Sequence, residues 1–287
     1  MTLISVLIGI AIDRFASGLP ELRRYERFHD YVHWIRERIE PVGLEGWAAV
    51  IAVLAPWLLL VWVMQASLED GVLTLFGLLF SVAVLVFCLG PRDLPADVDE
   101  YCGVADAEDG PRWHAAEHFA EHQEVPLEPE VCHDMVVHGV LVGAMDRWFG
   151  VLFWFVLLGP LGAVLYRAVV LLRAQAEDDR FGAAVDQLYG LLGWIPARLI
   201  VAGYALSGHF EHAVRAWREA EQGTEPLAER NAAVLYRAGE GALSLQIGEE
   251  LGSSPMTLIR SAMALVWRTL SMWLVVIALL TLAGWAS

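Results

Sequence analysis

Apolar positions in this chain fall in long unbroken runs, not in the short clusters of a water-soluble core. Trp47 to Ala66, Gly71 to Gly90 and Thr269 to Ser287 contain no Asp, Glu, Lys or Arg, while Phe149 to Leu172 and Leu188 to Ser207 contain one Arg each. Runs of roughly 18 to 25 residues, rising about 1.5 Å per residue as helix, match a hydrocarbon core about 30 Å thick. Five membrane-entering helices are predicted. Met1 to Ile12 is uncharged but shorter, and it lacks the basic start and cleavage site of a signal peptide, so a retained membrane-dipping or partly spanning helix is expected there. Tyr25, Phe28, Val32, Ile35 and Ile39 recur at intervals of three and four, with Arg24, Arg27, Arg36, Glu37 and Arg38 between them. That spacing predicts an amphipathic helix lying on the membrane or on the bundle.

The polar stretches set the topology. Six Arg lie between residues 13 and 46, and none lies in the Glu69 and Asp70 turn, so the positive-inside rule puts residues 13 to 46 and the Arg92 end of the second span in the cytoplasm. From Pro91 to Asp134 the chain is polar and acidic, with a break at Asp106 to Pro111. If both later runs cross, the segment from Gly208 to Arg268 returns to the cytoplasm, and Arg167 and Arg173 face outward against the charge rule. A re-entrant or broken segment is the other option, with Gly159, Pro160, Gly162 and Pro196 as breakage points. The predicted class is an all-α, polytopic, inner-membrane protein with one membrane domain. Its parts are 1–46 (N-terminal and amphipathic helices), 47–90 (two spans), 91–134 (soluble acidic segment), 135–210 (core with broken spans), 211–268 (cytoplasmic helical segment) and 269–287 (C-terminal span).

Composition narrows the partners. Hydrophobic residues make up 57% of the chain, which fits lipid as its solvent. All 19 basic residues are Arg, and 35 acids bring the net charge to -16, which argues against nucleic acid and anionic headgroups as ligands. Cys88, Cys102 and Cys132 show no paired spacing and are expected to be reduced structural thiols.

Three groups of residues could carry chemistry. His114, Glu117 and His118 spell His-x-x-Glu-His, with Glu121 and His122 following and Cys132 or His133 as a further ligand. The competing reading, and the preferred one, is a solvated helix face. Arg198 and Asp146 are ionisable groups within or at the edge of a span. Such groups are expensive unless paired, so each is either half of a structural ion pair, for instance Arg198 with Asp146 or Asp186, or part of a ligand site. The tryptophans fall mostly near span ends and fit interfacial belts. A Lys-free chain contains no Gly-Lys-Ser or Gly-Lys-Thr phosphate loop.

The stretches Leu-Leu-Gly-Trp194-Ile-Pro196-Ala-Arg198-Leu, Tyr204-Ala-Leu-Ser-Gly208-His209 and Ala216-Trp217, with Phe153-Trp154-Phe155 and Leu165-Tyr166-Arg167, resemble the AmpE family over nearly the whole chain. That resemblance implies an inner-membrane protein linked to regulation of β-lactamase induction. AmpE in turn resembles the cobalamin-pathway synthases CbiB and CobD, which join an aminopropanol unit to a corrinoid carboxylate by ATP-dependent amide formation. Asp146, Phe153, Trp154, Trp194, Pro196 and Arg198 match their motifs; Arg167, Asp186 and His209 complete the set of expected ligand or core residues.

Val142 and Gly143 stand where the synthases have Glu-Asn. Val170 and Arg173 replace their Asn and Asp, and Tyr189 and Gly190 replace an Asp pair. Those losses remove oxygen donors suited to magnesium. The resulting expectation is a pseudoenzyme with no cofactor, a regulatory protein of the antibiotic response that binds an unidentified small molecule or membrane-protein partner. The alternative is a membrane enzyme, amide synthase-like or acting on a peptidoglycan fragment, that uses a different residue set.

Overall fold

The computed structural model describes residues 2–15, 25–39, 41, 43–68, 74–89, 94–104, 111–120, 125–126, 128–176, 179–249 and 255–283. The turn at Glu69 and Asp70, Arg92, the break at residues 106–110, and Glu121 and His122 lie outside them. The described regular structure is helical. In chain order it comprises α1 (Thr2–Phe15), α2 (Glu26–Ile39), α3 (Trp47–Leu68), α4 (Thr74–Cys88), α5 (Leu94–Val104) and α6 (Pro111–Glu117). Next, α7 (Pro129–Ala144) passes through a π-helical turn, Met145–Phe149, into α8 (Gly150–Leu158). The remaining helices are α9 (Pro160–Arg173), α10 (Arg180–Ser207), α11 (Phe210–Glu221), α12 (Leu227–Glu249) and α13 (Pro255–Leu282).

Four helical stretches are long and apolar enough to cross a bilayer: Trp47–Leu68, Pro129–Leu158, Arg180–Ser207 and Pro255–Leu282. Their outward faces carry large apolar side chains, among them Ile51, Leu59, Trp62, Leu191, Leu206 and Leu279, each more than half exposed. Apolar surface on that scale is solvated by lipid, not water. The chain is a polytopic helical membrane protein.

Several expectations change: the run Gly71 to Gly90 gives, among the described residues, the helix Thr74–Cys88, too short to count among the crossing helices. The run Phe149 to Leu172 is not one crossing helix, because the chain reverses at Gly159. That residue has φ 67°, a left-handed conformation that a side chain would strain, and Pro160 supplies the preset first residue of α9. A Cβ on Gly150 would lie 2.2 Å from the Tyr166 ring, and one on Gly162 would lie 2.1 Å from the Trp154 carbonyl oxygen. These pairings step in opposite directions along the sequence, so α8 and α9 form a close antiparallel hairpin. Pro196, by contrast, breaks nothing and sits inside the continuous helix α10. The last long helix starts at Pro255, ahead of the predicted Thr269, and Arg260 and Arg268 are exposed on it.

The residues cluster into two compact units. The first contains Met1–Pro91, Gly150–Leu192 and Ile277–Ser287; the second contains Arg92–Phe149 and Gly193–Val276. In the first, α1 packs on α4, and Gly9 lets Leu85 approach closely. The predicted apolar face of α2 lies on protein, since the Tyr31 hydroxyl donates to the Val53 carbonyl (2.9 Å) and the Tyr25 hydroxyl to that of Phe87 (2.8 Å). In the second, α11 and α12 form a hairpin, and α12 packs on α7 where Gly239 meets Leu141. The buried Tyr204 hydroxyl donates to the Leu141 carbonyl at 2.8 Å. Arg147, in the π-helical turn, pairs with buried Asp97 of α5 at 2.7 Å.

Candidate functional site

In the second unit Arg198 is the centre of a polar cluster on otherwise apolar helices. Its Nη1 donates to the Asn231 side-chain oxygen and to the Trp194 carbonyl (3.2 Å), and its Nη2 donates to Glu221 Oε1 at 2.6 Å. The guanidinium carbon lies 5.1 Å from the centre of the Trp194 ring, which screens it from one side. Residues 194 and 198 are one helical turn apart on α10, so the aromatic and the cation share a face. Asn231 comes from α12 and is fully buried; Glu221 is the last residue of α11. The other oxygen of Glu221 accepts from Trp217 Nε1 at 3.1 Å. Arg198 is 13% exposed and Glu221 38% exposed. Burial raises the Glu221 pKa, but the hydrogen bonds from Arg198 and Trp217 and the charges of Arg198 and Arg230 outweigh it, so the net direction is down.

Neither expected ion-pair partner of Arg198 is the observed one: the carboxylate on it is Glu221, and Asp186 is held by Arg173. Sequence reading missed Glu221 and Asn231. A lone amide in the apolar stretch Asn231-Ala-Ala-Val-Leu and a Trp217/Glu221 pair at four-residue spacing were the available signals. His209 precedes α11, where its backbone N–H donates to the Ala242 carbonyl at 2.9 Å, and its ring centre lies 4.3 Å from that of His212. Asp146 is half-buried in the π-helical turn.

Phe153, Trp154, Arg167 and Asp186 belong to the first unit and have structural partners there; Pro196 follows on α10 one turn after Leu192, in the second. Pro196 has no N–H, so it leaves the Leu192 carbonyl without its usual helical donor. The Trp154 indole N–H donates to that carbonyl at 3.0 Å, which explains how α10 passes through a proline unbroken. Phe153 packs edge-on against Trp154, ring centres 5.3 Å apart. Arg167 is buried and its Nε donates to the Cys88 carbonyl at 2.5 Å, capping the C-terminal end of α4 where unpaired carbonyls gather. Asp186 pairs with Arg173 Nε at 3.0 Å, and the Arg173 guanidinium lies 4.4 Å from the Tyr189 ring centre.

His114 Nδ1 lies 3.6 Å from Glu117 on an exposed surface, and Cys132 is buried against the Tyr101 hydroxyl. Among the described residues no three His, Cys, Asp or Glu side chains converge on a point that could hold an ion. They form no ready-made zinc centre, and no catalytic step is assigned to a metal.

A family model described as "Regulatory signalling modulator protein AmpE" matches residues 1–286. The chain belongs to the AmpE family. It is also 32% identical to "Cobalamin biosynthesis protein CobD" of Stutzerimonas stutzeri (strain A1501) over 267 residues, 85% of this chain and 82% of that protein. The protein of the same description from Chromobacterium violaceum is 33% identical over 221 residues, 73% of this chain and 67% of its own length. "Protein AmpE" of Shigella flexneri is 25% identical over 240 residues, 72% of this chain and 77% of that one. No solved structure matches the chain. Family and helices together make it a multi-pass inner-membrane protein of CbiB/CobD-like architecture.

These relatives correct the expectation of a non-enzymatic regulator, and with it the pseudoenzyme and β-lactamase-regulation readings. The biosynthetic CobD proteins match at higher identity than the AmpE protein, and the Stutzerimonas stutzeri protein over a clearly larger share of the chain.

Proposed function

We propose that this chain is a membrane enzyme of the amide synthase kind, joining a carboxylic acid to an amine, with the Arg198, Asn231, Trp194 and Glu221 cluster at its working centre. The observation that carries the reading is the cluster itself. A guanidinium 13% exposed, held by a fully buried Asn and screened by an indole, is kept in the motif that matches the synthases. A cation in low dielectric acts more strongly on a substrate anion than it would in water. A fixed guanidinium also needs no reorganisation when charge develops during the reaction. The likeness to proteins named for cobalamin biosynthesis favours a corrinoid acid as the substrate class.

The test is direct. Detergent-purified full chain, given ATP, a magnesium salt, a corrinoid carboxylic acid and aminopropanol, is expected to form the amide, detected by mass spectrometry. Arg198→Ala should abolish the product while the protein elutes as the wild type does. Failure of the wild type to form any amide would reject the proposal.

A further inference from the structure

Arg198 offers its five N–H groups unevenly. Nη1 is committed to Asn231 and to the Trp194 carbonyl, leaving the Nε/Nη2 side as the one edge where two parallel donors can take a planar anion. Glu221 occupies only half of that edge. One oxygen sits on Nη2 at 2.6 Å, the other turns away to Trp217 Nε1, and among the described residues no acceptor reaches the buried Nε. A buried N–H without an acceptor is costly, and a structural ion pair in this position would be expected to close the fork.

The end of α11 does not itself help to hold Glu221. This residue ends α11, where the helix dipole disfavours a carboxylate, and it is followed by the Gln222 and Gly223 turn. It reaches Arg198 from the more exposed side, 38% against 13%. An alternative anchor stands nearby: the charge of Arg230 already acts on Glu221, and the Nε of Arg230 is likewise buried without an acceptor among the described residues.

We propose that Arg198 is the receptor for a substrate carboxylate and that Glu221 is an internal stand-in for it, held one-handed on the guanidinium until the substrate displaces it. The incoming carboxylate takes Nε and Nη2 together, and Glu221 turns toward Arg230. The guanidinium is never left bare during the exchange, which spares the buried cation its desolvation cost. The inference rests on the enzyme reading for the identity of the acid, but it concerns binding and is tested without turnover.

The experiment is equilibrium dialysis of a corrinoid monocarboxylic acid against the detergent-solubilised full chain, read by the visible absorbance of the corrinoid. The same corrinoid with its carboxylate converted to a primary amide serves as control, and pyrophosphate as competitor. Wild type should take up the acid and not the amide, and pyrophosphate should not displace it. Glu221→Gln should tighten uptake of the acid about tenfold, the factor expected when a competitor that holds the site about nine-tenths of the time is removed. Glu221→Ala, which removes the carboxylate altogether, should tighten it by a similar factor and stands in if the first variant misfolds.

Unchanged or weaker uptake in both variants, equal uptake of the amide, displacement by pyrophosphate, or no uptake by any form would each overturn the inference. Amide formation by wild type without tightening in the variants would sink the stand-in and leave the enzyme reading in place. Tightening in a protein that never forms amide would do the reverse.

Discussion

Arg173 and Arg198 each have a carboxylate within hydrogen-bonding distance and an aromatic ring beside the guanidinium. Asp186 lies at 3.0 Å with the Tyr189 ring centre at 4.4 Å for the first; Glu221 lies at 2.6 Å with the Trp194 ring centre at 5.1 Å for the second. Their settings differ. Arg173 and Asp186 are 34% and 54% exposed, so water screens the pair, whereas Arg198 is 13% exposed and leans on a buried amide. Arg173 and Tyr189, which the resemblance sets where the synthases carry acids, lie against each other. The Arg198 region matches the synthase motif and keeps an open donor. Loss of donors in one region therefore says little about activity in the other.

The largest test of this contrast is activity. Arg198→Ala should lower amide formation by about two orders of magnitude or more, the scale of losing a fixed charge-stabilising donor. Arg173→Ala should stay within about threefold of wild type in the same assay, because its pair is screened. Equal losses in both variants would erase the distinction.

A smaller effect is expected on stability. Asn231→Leu removes the acceptor of a buried guanidinium N–H and should cost about 1–3 kcal/mol, read as a lower thermal midpoint in detergent. Asp186→Asn should cost under about 1 kcal/mol, since it breaks an exposed pair. A reversed order would mean that the buried cluster is not the tighter of the two.

How much of this was legible in the sequence depends on the range of the interaction. Three of the four crossing helices were readable because lipid imposes a length and an apolar composition on a crossing, and the face of α2 was readable from spacing alone; Pro129–Leu158 was not, because it begins in a polar stretch. Reversal at Gly159-Pro160 was visible as one option among several, because both residues restrict the backbone locally. Pro196 misled for the complementary reason: whether a proline breaks a helix depends on who bonds the carbonyl four residues back, and here the donor is Trp154, 38 residues away. Glu221 and Asn231 were missed because they reach Arg198 across 23 and 33 residues, by helix packing that no local pattern encodes.

The Trp154 bond gives a finer test of the first region. Trp154→Phe leaves the Leu192 carbonyl without a donor and should cost about 1 kcal/mol, the scale of a side-chain hydrogen bond inside a membrane protein. Adding Pro196→Ala restores a backbone N–H to that carbonyl and should recover most of the loss. A double variant no more stable than Trp154→Phe alone would show that the indole acts through packing.

The smallest expected effect is on pH dependence. The Glu221 pKa is lowered in the folded protein, so the unfolded chain binds the proton more readily and stability rises with pH through that interval. The contribution is fully present above the ordinary glutamate value of about 4.3 and is lost as pH falls through the depressed folded value. Glu221→Gln should therefore flatten the acid limb of thermal stability slightly, read as a smaller fall of the thermal midpoint on acidification. The effect is set by the two donors, Arg198 and Trp217, that hold the carboxylate in its charged form against the cost of burial. An acid limb unchanged in Glu221→Gln would mean that those two donors do not favour the charged form over the neutral one.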